Sequence, residues 1–245
     1  SMAGRVGLLG LFKRYGFERL VVFLGVWLSL LAESWRQNQI LIPTERESLA
    51  RLASDLEDDL HDLQGNLGRA QHGLEGASWI IQAKVLEEAS GDTMALMLAQ
   101  MGPCSNLGEN TSEYISLKSS GNLNVIRDKD LRQDIVGLYE GRSFLRWWHG
   151  LDCTESEAVL DLLAEHVQFG VPPVDRDGPG SENWQLRRHP TIESIPDVRS
   201  IFRDRALMNR ITRLASMRQA LERAIRDEIE RTAELQYRAN EAAEI

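Results

Sequence analysis

YGFERLVVFLGVWLSLLAESW, residues Tyr15 to Trp35, is the one long and nearly uninterrupted apolar run in the chain. Its strictly apolar part extends from Leu20 to Ala32 and is broken by Ser29. A helix that crosses a bilayer needs about 20 predominantly apolar residues, so the flanks have to complete this one. Tyr15, Phe17 and Trp35 suit the two interfaces. Arg19 can extend its charge toward water, and Glu18 lies near the end, where it can be paired or neutralised. The run is therefore read as a transmembrane helix over residues 15–36. Two rival readings stand beside it. A cleaved signal peptide would need a small-x-small pattern nearby, and Glu33-Ser34-Trp35-Arg36 does not supply one. A buried core helix is the other, because short apolar runs are often that.

Basic residues give the run a direction. Arg5, Lys13, Arg14 and Arg19 precede it with Glu18 as the only acid, whereas Arg36 after it is followed by Glu45, Arg46 and Glu47. The positive-inside rule then places the N-terminus in the cytoplasm and the larger C-terminal part in the periplasm of a bacterial inner membrane. Residues 1–14 are Gly-rich with scattered Val, Leu and Phe, and read either as a cytoplasmic tail or as an interfacial foot.

Residues 37–245 read as a helical extramembrane domain. Leu49, Leu52, Leu56, Leu60, Leu63, Leu67, Ala70, Leu74, Ala77 and Ile81 recur at steps of three or four, which is one helical stripe. Thr44 with Glu47 has capping-box spacing, so the stripe is expected to start a new helix there and to end before Ser90-Gly91. Gly65, Gly68, Gly73 and Gly76 weaken that helix by about 1 kcal/mol each against Ala, and mark a bend or close packing. Short helices are expected over 92–101 and from Ser112. A further one, capped by Asp128 or Asp130, carries Leu131, Ile135, Leu138, Leu145 and Trp148 and ends at Gly150, and Thr154 starts the next. Residues 171–196 form the one long irregular loop. Asp197 opens a last helix, with Leu207, Ile211, Leu214, Leu221, Ile225 and Leu235 at near-heptad spacing. The fold expected is all-α: one N-terminal transmembrane helix, then a bundle built on two long antiparallel helices. No alternating strand pattern is found.

The net charge of −9 argues against nucleic acid, since phosphate binding needs clustered cations. Cys104 and Cys153 are the two cysteines. They match no zinc or haem spacing, and they are either a disulfide or two separate thiols. Glu57 and His61 share a helix face, but Asp58, Asp59 and Asp62 around them read as a solvated acidic face. Glu165 and His166 are adjacent, so they do not share one. Phosphate-cradling and nucleophile-elbow motifs are absent, and no cofactor is implied. A Ser/His/Asp constellation is not readable from spacing, because its parts need not be neighbours.

Two stretches are similar to one family of single-span bacterial membrane proteins grouped as a domain of unknown function. The first is 17–67, through Glu18, Gly25, Trp35, Leu49, Leu52 and Asp55-Leu56. The second is 114–139, through Leu117-Lys118-Ser119-Ser120-Gly121, Ile126-Arg127-Asp128 and Leu131-Arg132. The resemblance implies a single-pass membrane protein with a helical ectodomain and no stated activity.

The function expected is therefore non-catalytic: a structural or accessory subunit that braces a larger membrane assembly, of photosynthetic or respiratory type. Its partners would be the lipid bilayer and other membrane subunits. Gly25, Trp27, Ser29 and Trp35 are the candidate contacts at the membrane, and Phe144, Trp147 and Trp148 those outside it. For the aromatic trio, bundle core is an equal reading. A ligand-sensing or signalling ectodomain is the alternative, and a membrane-tethered enzyme ranks below it.

Overall fold

The structure, a computed structural model, describes residues 5–86, 89–102, 104, 107–170 and 191–244, with the side chains of 5–21 and 34–41 outside that description. Seven α-helices are found among the described residues: α1 (Arg5–Leu86), α2 (Gly91–Met101), α3 (Ser112–Ser119), α4 (Lys129–Gly141), α5 (Ser143–Leu163), α6 (Val198–Arg203) and α7 (Arg205–Glu244). A 3-10 turn, Asn122–Val125, joins α3 to α4.

Helix α1 has 82 residues and a length of about 120 Å at 1.5 Å per residue. It runs unbroken through Pro43. The new helix start expected at Thr44 is thus corrected. A proline inside a helix removes one backbone hydrogen bond and costs about 3 kcal/mol, but its fixed φ is helical, so the helix can continue. Both arms hold the helical conformation here. Glu47 does not act as a capping-box partner; its carboxylate pairs forward with Arg51 at 2.7 Å, one turn on. Just after the proline, Glu45 accepts hydrogen bonds from the backbone N–H of Arg127 (2.7 Å) and from its Nε (2.6 Å), which ties α1 to the start of α4.

Three apolar clusters lie along α1, and their order sets the topology. Leu49, Leu52, Ala53 and Leu56 pack with Leu235 and Ala239 near the end of α7. Leu63 and Ala70 pack with Leu221 and Ile225. Ala77 and Ile80 pack with Leu207, Met208, Ile211 and Leu214 near its start. Residues late in α7 meet residues early in the packed part of α1, so the two long helices are antiparallel. The stripe read from the sequence is the buried face. Helices α3 and α4 cover the first cluster through Tyr114, Leu117, Leu131, Ile135 and Leu138, and α2 with the end of α5 covers the third through Met94, Leu98, Val159 and Leu163.

The glycines in α1 separate by role. A Cβ at Gly76 would lie 2.5 Å from the carbonyl oxygen of Met97, so the missing side chain lets α2 approach α1. A Cβ at Gly73 would overlap the guanidinium of Arg218. At Gly68 nothing lies within 4 Å, and that glycine serves no close packing.

Other expected boundaries shift. Helix α5 passes through Gly150 and Thr154 without a break, and the Thr154 hydroxyl donates back to the Gly150 carbonyl at 2.9 Å. The break between helices occurs earlier, at Arg142. Asp128 does cap α4, accepting from the N–H groups of Asp130 and Leu131. The last helix starts anew at Asp204, whose carboxylate accepts from Leu207 N–H at 3.0 Å. A two-stranded antiparallel ribbon, β1 (Gln168–Gly170) with β2 (Thr191–Ser194), flanks residues 171–190, so the fold is helical with one small hairpin-like addition. The strands are three and four residues long, too short to register as alternation.

Among the described residues, no helix is long and apolar enough to cross a membrane. The segment in question is nevertheless set apart from the bundle. Every described residue from Val22 to Ala32 is exposed, on all faces of the helix, including Phe23 at 68% and Leu30 at 65%. That stretch spans about 16 Å, against the roughly 30 Å of a hydrocarbon core. Most of the remaining residues of the expected 15–36 span, and the expected foot at 1–14, have side chains outside the description.

Candidate functional site

Two residues beyond Gly102, which caps α2, Cys104 is joined to Cys153 by a disulfide. Cys153 lies on α5, one turn after His149, whose Nδ1 is 3.7 Å from the Cys153 sulfur. The sulfurs and the imidazole nitrogen all lie within 4.8 Å of one another, at intermediate burial. The spacing of 49 residues closes a long loop across the bundle. Replacing both cysteines with serine is expected to lower stability by about 2–4 kcal/mol, chiefly by freeing the unfolded chain. Urea denaturation under non-reducing conditions checks this, and an unchanged midpoint would contradict it.

Arg218 of α7 is almost fully buried. Its Nε donates to Asp152 at 3.0 Å, and its Nη2 donates to the Gly102 carbonyl and to the Ser156 hydroxyl, each at 3.0 Å. Gly102 and Asp152 are close neighbours of the two cysteines in the chain. Arg218 thus holds both cysteine-bearing segments by a route separate from the sulfur bond. It fits only because Gly73 leaves room on α1.

A second buried cation lies further along the bundle. Arg142, at the break between α4 and α5, donates through Nη1 to Asp59 of α1 (2.6 Å) and through Nε to Glu228 of α7 (3.0 Å). The Asn110 N–H also donates to Asp59 (2.6 Å), and the guanidinium lies over the Tyr139 ring. Burial works against the Arg142 charge, but its two carboxylate neighbours prevail and hold its pKa above the ordinary value. Burial pushes the Asp59 carboxyl up, opposed by Arg142 and the Asn110 N–H. Burial likewise raises the Tyr139 phenol. Asp59 belongs to the run read as a solvated acidic face; it is instead 1% exposed, and Arg142 reaches it from the break between α4 and α5.

The structure also assembles a Ser/His/Asp group. His166 Nδ1 lies 2.9 Å from Ser200 Oγ, and its Nε2 lies 3.0 Å from Asp204. The Ser200 hydroxyl also lies within reach of the Asp197 carbonyl, to which it donates at 2.7 Å. The group acts as a staple from the end of α5 to the start of α7, and the imidazole contact holds the Asp204 carboxyl below its ordinary range. His61 and Glu57 are both exposed.

The aromatic trio divides. Trp148 packs against the middle cluster with Leu145, Leu221 and Ile225, whereas Phe144 and Trp147 are exposed at 61% and 55%. Phe144 and Trp147 stack with centroids 6.3 Å apart, and Trp148 meets Trp147 edge-on at 4.9 Å. In the apolar segment Gly25 has nothing near its missing Cβ, the Ser29 hydroxyl donates to the Gly25 carbonyl at 2.8 Å, and Trp27 is half exposed. The Trp35 side chain lies outside the described residues. The disulfide, the two buried arginine centres and the staple unite residues far apart in sequence; only the cysteines were candidates from sequence.

No family model, no curated protein and no solved structure matches this chain.

Proposed function

We propose that the protein is a single-pass membrane subunit that braces a larger assembly, with α1 acting as one rigid strut from bilayer to bundle. One observation carries the reading. A single unbroken helix is apolar on all faces near one end and is the packed spine of a bundle at the other. An apolar surface that surrounds a helix on every side is stable only when lipid or other helices cover it. A continuous helix also transmits position and orientation, which a flexible tether would not.

In this reading residues 15–36 insert in a bacterial inner membrane, with the N-terminus cytoplasmic and the bundle periplasmic. Gly25, Ser29 and Trp27 contact neighbouring membrane helices, and Phe144 with Trp147 forms an anchor outside the membrane. The periplasmic side is compatible with the disulfide. The protein is expected to stay with membranes through alkaline carbonate washing and to co-purify with other subunits in mild detergent. A periplasm-dependent reporter fused after Ile245 is expected to be active. Release by carbonate would defeat the membrane reading, an inactive reporter would reverse the orientation, and a membrane-bound monomer without partners would defeat the bracing role.

A further inference from the structure

Reduction of the Cys104–Cys153 disulfide would leave two thiols beside an imidazole, and that ligand set has a chemistry of its own. We infer that Cys104, Cys153 and His149 form a redox-gated metal site, which takes a thiophilic divalent cation of the Zn2+ class when the disulfide is open. The inference does not depend on the membrane reading.

Three features of the structure carry it. The first is the ligand set: two sulfurs and one imidazole nitrogen within 4.8 Å of one another. Two thiolates and one imidazole, with water in a fourth position, are a recognised tetrahedral zinc environment. The second is the geometry. His149 and Cys153 are four residues apart on α5 and share a face, with Nδ1 and Sγ 3.7 Å apart. Metal–sulfur bonds of about 2.3 Å and metal–nitrogen bonds of about 2.0–2.1 Å require ligand atoms roughly 3.5–3.8 Å apart. The His149–Cys153 pair already meets this, and once the sulfur bond opens the Cys104 and Cys153 side chains rotate apart to reach it. The third is the frame. Arg218 binds Gly102, Asp152 and Ser156, so both cysteine segments stay in register when the sulfur bond is gone. At intermediate burial, reductant and cation can reach the group.

The chemistry balances. A dithiol reductant supplies two electrons and two protons, is itself oxidised to a disulfide, and converts the Cys104–Cys153 bond to two thiols. The cation then displaces both thiol protons to solvent, while the neutral imidazole binds through the Nδ1 lone pair. Reoxidation by thiol–disulfide exchange with a second disulfide, which takes up the two electrons and two protons and becomes a dithiol, reforms the Cys104–Cys153 bond, removes both thiolate ligands and releases the cation. Disulfide and metal are mutually exclusive occupants of one place.

The test uses the full chain, reduced with a phosphine under nitrogen and titrated with Co2+, which reports thiolate ligation and tetrahedral geometry by its absorption. The expected result is about one cobalt per chain with a thiolate-to-cobalt charge-transfer band, displaced by Zn2+, and no band in the disulfide form. His149→Ala is expected to weaken cobalt binding by about tenfold or more. Cys153→Ser should abolish the band, with far-UV circular dichroism confirming that each variant keeps its helices. Zn2+ should raise the Tm of the reduced protein and leave that of the oxidised protein unchanged. A folded, reduced protein that shows no thiolate band overturns the proposal. So does equal cobalt binding by the wild type, the His149 variant and the Cys153 variant, which would mark an adventitious ion only.

Discussion

Asp59→Ala is expected to destabilise the protein by about 3–5 kcal/mol, because it leaves the Arg142 guanidinium buried with half of its counter-charge gone. Arg142, Asp59 and Glu228 are all nearly inaccessible and come from three separate places in the chain. Removing one charge strands the others in a poorly solvated interior, and Arg142 cannot lose its proton to adapt. Its Nη2 has no hydrogen-bond partner among the described residues even in the intact group, so it has no spare partner to turn to. Glu228→Ala should cost a similar amount. The opposite is expected of the triple change Asp59→Leu, Arg142→Met and Glu228→Leu. With every charge gone, the desolvation cost goes too, and stability should return to within about 1–2 kcal/mol of the parent. Urea midpoints for the three variants decide the matter. A triple variant as unstable as Asp59→Ala would show that the cost lies in shape and not in charge.

Gly73→Val is expected to cost about 3–5 kcal/mol as well, through the buried guanidinium that lies against Gly73 in the native protein. The new side chain would occupy the space where Arg218 lies; its Cβ alone would be 2.6 Å from the Arg218 Cζ. Long side chains usually move aside, but this one is buried and makes three hydrogen bonds, to Asp152, Gly102 and Ser156. Displacing it leaves Asp152, itself buried, without its cation. The check is a double-mutant cycle with Arg218→Ala. In that background the arginine is gone, valine fills the vacated volume, and Gly73→Val should cost less than half as much. An undiminished cost would place the strain in the helix backbone instead. The same cycle at Gly68, where no neighbour is near, should show no coupling.

These two centres explain why so much of the helical plan was readable and so little of the site. The steps of three and four from Leu49 to Ile81 reveal a buried face because a helix can bury only one stripe, and that face is buried along α7. Asp128 is readable as a cap because capping is satisfied within three residues. Thr44, Gly150 and Thr154 carry equally good local signals, yet the helices run through all of them. Capping and glycine preferences are worth about 1 kcal/mol, which the packing of α5 on α7 overrides at Gly150 and Thr154. At Pro43 and Thr44, both exposed, the reason is different: the fixed φ of proline is already helical, so α1 continues through both despite the lost hydrogen bond.

The sequence by itself determined the helical class, the buried stripe on each long helix and the presence of one apolar segment with no polar face. These follow from periodicity and composition, which are properties of neighbouring residues. Tertiary structure decided which glycine makes room for Arg218, which aspartate in an acidic run is buried, and that Cys104 and Cys153 meet beside His149. Each of those depends on side chains roughly 50 to 170 residues apart, brought together by the antiparallel pairing of α1 and α7 and by the helices packed on them. No local pattern encodes such a meeting, because its energy comes from desolvation and charge pairing that exist only once the bundle has closed.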